Sequence, residues 1–144
     1  MVPPSVAPPF VQRFLDAQAP LYTQVLAELR RGCKQSHWMW FIFPQLAGLG
    51  RSEMARRYAI VSRTDAVAYT EHATLGARLL ECTRLVCEIQ GRSLLEIFDT
   101  PDDLKFASSM TLFSQVAREP RPYLEALARY CDSHLDERTL ALLK

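Results

Sequence analysis

The residues that could do chemistry fall in two short blocks. In Ser36-His-Trp-Met-Trp-Phe-Ile-Phe-Pro-Gln45, both tryptophans of the chain and two of its seven phenylalanines stand together. The indole of Trp38 or Trp40 could stack on a flat ring, and His37 and Gln45, which bracket the aromatics, could hydrogen-bond its polar edges. The second block is Pro101-Asp-Asp-Leu-Lys-Phe-Ala-Ser-Ser-Met-Thr-Leu-Phe113. On a helix, Asp102 lies one turn from Lys105, and Lys105 shares a face with Ser108, Ser109 and Leu112, so polar groups enter an apolar stripe. Lys105, with Arg51 beyond the Gly48-Leu-Gly50 turn, could hold anionic oxygens. A catalytic version of the site would use Asp102 or Asp103 to stabilise an oxocarbenium-like centre or activate water, with His37 in acid-base work.

Each of these residues also has a structural use. An aromatic block fills a core, a histidine beside a tryptophan can be a plain hydrogen-bonder, and two acids in a first helical turn complement the helix dipole. Paired serines inside a buried run suit a close helix crossing as well as a ligand contact.

The elements that must position these blocks read as helices. Met1 to Pro9 holds four of the nine prolines and is expected to be an extended, mobile leader, with one domain over residues 10–144. Phe10, Phe14, Ala17 and Gln18 fit a first helix, and Pro20 starts a second, to about Arg31, with Leu21, Val25 and Leu29 inward and Gly32 closing it. Ser52 caps a helix carrying Met54, Ala55, Tyr58 and Ala59 inward, and Thr64 with Asp65 opens another that ends near His72. Thr74 to Gln90 is the clearest amphipathic run, closed by Gly91, and reads as the central helix. Ser93-Leu-Leu-Glu96 has capping-box spacing, and Thr100-Pro-Asp-Asp103 places a capping Thr, a proline and two acids at the start of a helix to about Val116. Helices over Pro122 to Cys131 and Asp136 to Leu143 complete an all-α fold of about seven to eight helices. No alternating strand with hairpin punctuation and no fixed-period repeat occurs.

Composition narrows the function. The chain has 144 residues, 49% of them hydrophobic and 23% charged, which suits one ordinary globular domain. No run reaches the ~18 apolar residues of a membrane helix and no signal peptide is recognisable, so the cytoplasm is expected. Cys33, Cys82, Cys87 and Cys131 are scattered without CxxC spacing and read as reduced thiols. Up to Arg63 the chain carries eight bases against three acids, and from Thr64 onward nine against thirteen, so a net of +5 faces one of −4. That asymmetry suits either complementary packing or an anionic ligand near Arg30 to Arg63. The overall +1 speaks against a protein living on nucleic-acid phosphates. His37, His72 and His134 lack metal-ligand spacing, and no GxSxG elbow, Walker loop or dinucleotide fingerprint occurs, so no metal or cofactor is implied.

Both blocks, with Arg13-Phe-Leu-Asp-Ala-Gln18 and Leu49-Gly-Arg-Ser52, resemble a small bacterial domain family of unknown function that is sometimes mislabelled calpastatin. The resemblance covers the chain from about Phe10 and implies a single, mainly helical domain; it transfers no catalytic residue. The calpain-inhibitor label does not fit, because such inhibitor repeats are disordered and this chain is rich in core-forming helices. A looser similarity, through Leu75-Gly-Ala-Arg-Leu-Leu80 and the Lys105-Phe106 helix, is to the NADAR superfamily, which implies N-glycosidic chemistry on ADP-ribose derivatives.

Two functions are therefore expected to compete. One is a pocket between the two blocks for a nucleotide-like or ADP-ribose-like small anionic ligand, with or without N-glycosidic hydrolysis. The other is a non-catalytic helical module that binds a protein partner, with the aromatic block wholly internal.

Overall fold

Proline geometry sets where the first helix starts. Pro9 occupies its first position, where a missing amide costs no hydrogen bond, and α1 runs Pro9–Gln18. The computed structural model describes residues 8–144, so most of the expected leader, Met1 to Ala7, lies outside the described residues. Nine helices follow: α2 Tyr22–Arg31, α3 Met39–Ile42, α4 Glu53–Arg57, α5 Arg63–Glu71, α6 Ala73–Glu88, α7 Leu94–Phe98, α8 Asp102–Val116, α9 Arg121–Cys131 and α10 Glu137–Leu143. The fold is all-α. Among the described residues the one β-type pairing is an isolated parallel bridge between Leu46 and Ile60. The helix number exceeds the expected seven to eight because α3 and α7 are pieces of four and five residues, too short to show a periodicity.

Most ends obey local chemistry. Ser52 accepts from the Ala55 amide, Asp136 from Thr139, and Ser93 with Glu96 forms the reciprocal capping box. Gly32 ends α2 at φ 74°, a left-handed conformation that glycine adopts without steric cost. Two expectations need correction. His72 does not merely end α5: its Nδ1 accepts from the amides of Thr74 and Leu75, both at 3.2 Å, and so caps α6. Thr100 does not cap α8. The first amides there go to backbone, Asp103 N–H to the Asp99 carbonyl at 2.9 Å and Lys105 N–H to that of Pro101 at 3.1 Å.

α8 shares the centre with α6, which packs against α1, α2, α3, α5 and α9. From Ser108 to Ser114 every residue of α8 is buried, so this segment is enclosed on all sides. α6 instead buries a stripe of Leu75, Leu79, Cys82, Thr83 and Val86. Around the start of α8, Phe106 packs edge-on to Phe43 at 4.9 Å between ring centroids and stacks on Phe98 at 5.2 Å. These aromatic contacts fix the two chemistry-bearing blocks against each other.

Candidate functional site

The aromatic block reaches its position through an acid. Glu28 lies on α2 within the stripe of Val25 and Leu29 and is completely buried. Its carboxylate accepts from the amides of Gln35 and Ser36 at 2.7 and 2.9 Å, from the Ser36 hydroxyl at 2.6 Å, from Trp38 Nε1 at 2.9 Å and from Gln24 at 3.0 Å. Burial alone would raise the Glu28 pKa, but the hydrogen bonds from Ser36, Gln35 and Trp38 outweigh it and hold the carboxyl at about 2. The charged carboxylate thus ties down the Cys33–Trp38 connection and the Trp38 ring, which is 0% exposed.

That connection delivers Lys34 to the start of α8. Lys34 Nζ lies 2.9 Å from Asp102 and 5.3 Å from the Trp38 ring centre, while Lys105 Nζ lies 3.6 Å from Asp102 and 5.2 Å from the Trp40 ring centre. One carboxylate therefore sits between two ammonium groups, each against an indole face. Lys34 and Asp102 are 8% and 19% exposed, so the pair is shielded from water on most sides. Just before it, Asp99 adopts φ 65°, ψ 174°, a region that only glycine enters without strain.

Among the described residues, three buried side-chain polar atoms lack a hydrogen-bond partner: Trp40 Nε1, Asp103 Oδ1 and Ser109 Oγ. All three belong to the two blocks. Ser109 lies one helical turn beyond Lys105 on the same face, and Lys105 in turn lies over Trp40.

The remaining sequence-derived residues go elsewhere. Ser108 bonds Asp136 Oδ2 at 3.1 Å and the Leu104 carbonyl at 3.2 Å, which commits it to the α8–α10 junction. Gln45 lines a small cavity of about 160 Å³ with Gly50 and Arg56. Arg51 is exposed ahead of the short α4, and His37 is exposed with no hydrogen bond among the described residues. The structure thus gathers Trp38, Trp40, Asp102 and Lys105, and does not bring His37, Gln45 or Arg51 to them. The cavities of about 590, 630, 460 and 450 Å³ are lined by none of these residues.

Sequence reasoning missed Glu28 and Lys34. Glu28 carried a signal, an acid inside an apolar helical stripe; Lys34, in a connection without periodicity, carried none.

The aromatic block and the α8 start, now in contact, lie within the segment matched by a family model described as "Protein of unknown function (DUF1810)", over residues 9–143. The chain belongs to that family. It is similar to a solved structure, the crystal structure of the conserved hypothetical protein Rv1873 from Mycobacterium tuberculosis at 1.38 Å, with 53% identity and a TM-score of 0.92 over 94% of this chain and 98% of that one. No curated protein matches the chain. The family of unknown function is the one the two blocks resemble, whereas neither a calpastatin nor a NADAR relationship is shown. Among the described residues no helix is long and apolar enough to cross a membrane, and all four cysteines are free thiols.

Proposed function

We propose that this DUF1810 protein binds a small anionic ligand carrying a flat ring, of nucleotide-like or ADP-ribose-like outline, on the face made by Trp40, Lys105 and Asp103, with Ser109 buried beneath it. The observation that carries the reading is that the unpartnered Trp40 Nε1, Asp103 Oδ1 and Ser109 Oγ all fall in the two blocks that Lys105 joins by lying over the Trp40 ring. A buried donor or acceptor without a partner costs about 1–3 kcal/mol, and a ligand or bound water at this face would recover it. Lys105 supplies charge for anionic oxygens, and Trp40, partly exposed beneath it, supplies a stacking surface.

Hydrolysis is not part of the proposal. Asp102 is engaged by two ammonium groups, and His37 makes no hydrogen bond that would orient it toward either aspartate.

The test is a thermal-shift screen with NAD, ADP-ribose, nucleotides and sugar phosphates, repeated on Lys105→Met and Trp40→Leu. At a hundred times its Kd a ligand adds about 2.7 kcal/mol, enough to move Tm by several degrees. A shift present in the parent and lost in both variants supports the site; no shift from any of these compounds refutes it. One observation favours the non-catalytic protein-binding module instead: Trp38, Phe41 and Phe43 are all buried. That reading gains if the screen is blank.

A further inference from the structure

A separate cavity of about 590 Å³ opens among the end of α5, α6, the Ala117–Pro120 connection and the start of α9. Its base is tightly built. A Cβ on Gly76 would fall 2.1 Å from the Thr70 carbonyl oxygen, so the start of α6 packs on the end of α5 with no room for a side chain. Tyr123 lines this cavity with most of its ring buried, and its hydroxyl, which is not among the buried unpartnered atoms, stays open to solvent and makes no hydrogen bond among the described residues. Burial pushes that phenol up to about 12, against the opposing pull of Arg84, so at neutral pH it is a donor.

Arg84 lines the same cavity and makes no ion pair or hydrogen bond among the described residues. An unpaired guanidinium beside an unpartnered phenol is a receptor for a carboxylate. Glu71 and Glu119 also line the cavity, and Arg118 reaches Glu71 only loosely, at 3.9 Å with 89% of its side chain exposed. Two arginines and two glutamates leave the lining with no net charge, which disfavours a polyanion and suits a ligand carrying one charge of each sign. Leu80, Ala77 and Pro122 supply an apolar wall, and the volume falls within the range of small-molecule sites.

We propose that this cavity binds a zwitterion of the free α-amino-acid class with an apolar side chain. Its carboxylate is received by Arg84 and the Tyr123 hydroxyl, its ammonium by Glu71 or Glu119, and its side chain lies on Leu80. The site is independent of the face around Trp40, and no residue is common to the two.

The experiment is calorimetric titration of the full chain with L-phenylalanine, and with two compounds that each lack one charge, 3-phenylpropanoate and phenethylamine. L-Phenylalanine is expected to bind, and both single-charge compounds to bind at least about tenfold more weakly. Arg84→Ala and Tyr123→Phe, each verified as folded by circular dichroism, are expected to weaken binding by on the order of tenfold or more. Ala77→Trp, which fills the cavity without touching a charge, is expected to abolish it, while Trp40→Leu leaves it unchanged. No heat with L-phenylalanine overturns the proposal. So does binding that survives Arg84→Ala, and so does equal affinity for 3-phenylpropanoate, which would give the glutamates no part.

Discussion

Glu28 meets the aromatic block and Asp103 belongs to the α8 block, and the fold treats the two acids in opposite ways. Glu28, completely buried, is surrounded by donors: two backbone amides, a hydroxyl, an indole N–H and a carboxamide. Asp103, part-exposed at the start of α8, keeps a buried oxygen with no partner. A saturated carboxylate in a closed shell has nothing left to offer a ligand, and its donors hold one connection in one shape. An unsaturated one costs stability unless something else completes it. On the proposed function, the difference separates scaffold from site: the Glu28–Trp38 region holds the connection in shape, and the Trp40–Asp103 region is the face that would meet a ligand.

The largest effect that tests this division compares the two tryptophans. Trp38→Ala removes a wholly buried ring and strands Glu28, and is expected to destabilise by about 3–5 kcal/mol. Trp40→Ala, with a partly exposed ring and no hydrogen bond to lose, is expected to cost about 2 kcal/mol or less. Urea denaturation of both variants reads the two values. Equal losses would erase the distinction between scaffold and face.

A middle-sized effect comes from pH. The Glu28 carboxyl is lowered from 4.5 to about 2 in the folded chain. Its contribution is therefore fully present above pH 4.5 and is lost as pH falls through about 2, on the order of 3 kcal/mol in all. Glu28→Gln cannot ionise and puts an amide N–H₂ among donors, so it is expected to be less stable than the parent at neutral pH. The gap should close as pH is lowered through that window. Denaturation midpoints measured at several pH values check this, and a gap independent of pH would show that Glu28 does not carry the charge assigned to it.

The division also explains what could be read from the chain. The long helices were legible because periodicity and caps are local: Ser93 with Glu96, Asp136 and Gly32 act within a few residues. So was the Asp102–Lys105 pair, fixed by one helical turn. The pairing of Lys34 with Asp102 was not, because it joins a connection without periodicity to a helix start 68 positions away. Gln45 and Ser108 were misplaced for a related reason. A residue's neighbours in sequence say that it is polar within an apolar run, but only packing decides that Ser108 turns to Asp136 and Gln45 to the Gly50 turn. The enclosure of α8 is illegible for a similar reason: the run from Ser108 to Ser114 carries four hydroxyl residues, Ser108, Ser109, Thr111 and Ser114, in a segment buried throughout, and enclosure is invisible to an amphipathic pattern.

The smallest effect concerns Ser109, one helical turn from Lys105. Ser109 is completely buried and its hydroxyl has no partner. Replacing it with alanine removes one oxygen together with the desolvation cost of leaving it unpaired. Ser109→Ala is therefore expected to be neutral or stabilising by up to about 1 kcal/mol, against the destabilisation that truncation of a satisfied buried hydroxyl produces. Thr111→Val supplies the contrast, because the Thr111 hydroxyl bonds the Ala107 carbonyl at 2.9 Å and accepts from the Asp136 amide at 2.9 Å. It is expected to lose about 1–2 kcal/mol. If Ser109→Ala loses as much as Thr111→Val, the Ser109 hydroxyl is already satisfied, and Ser109 belongs to the scaffold with Glu28 and Trp38.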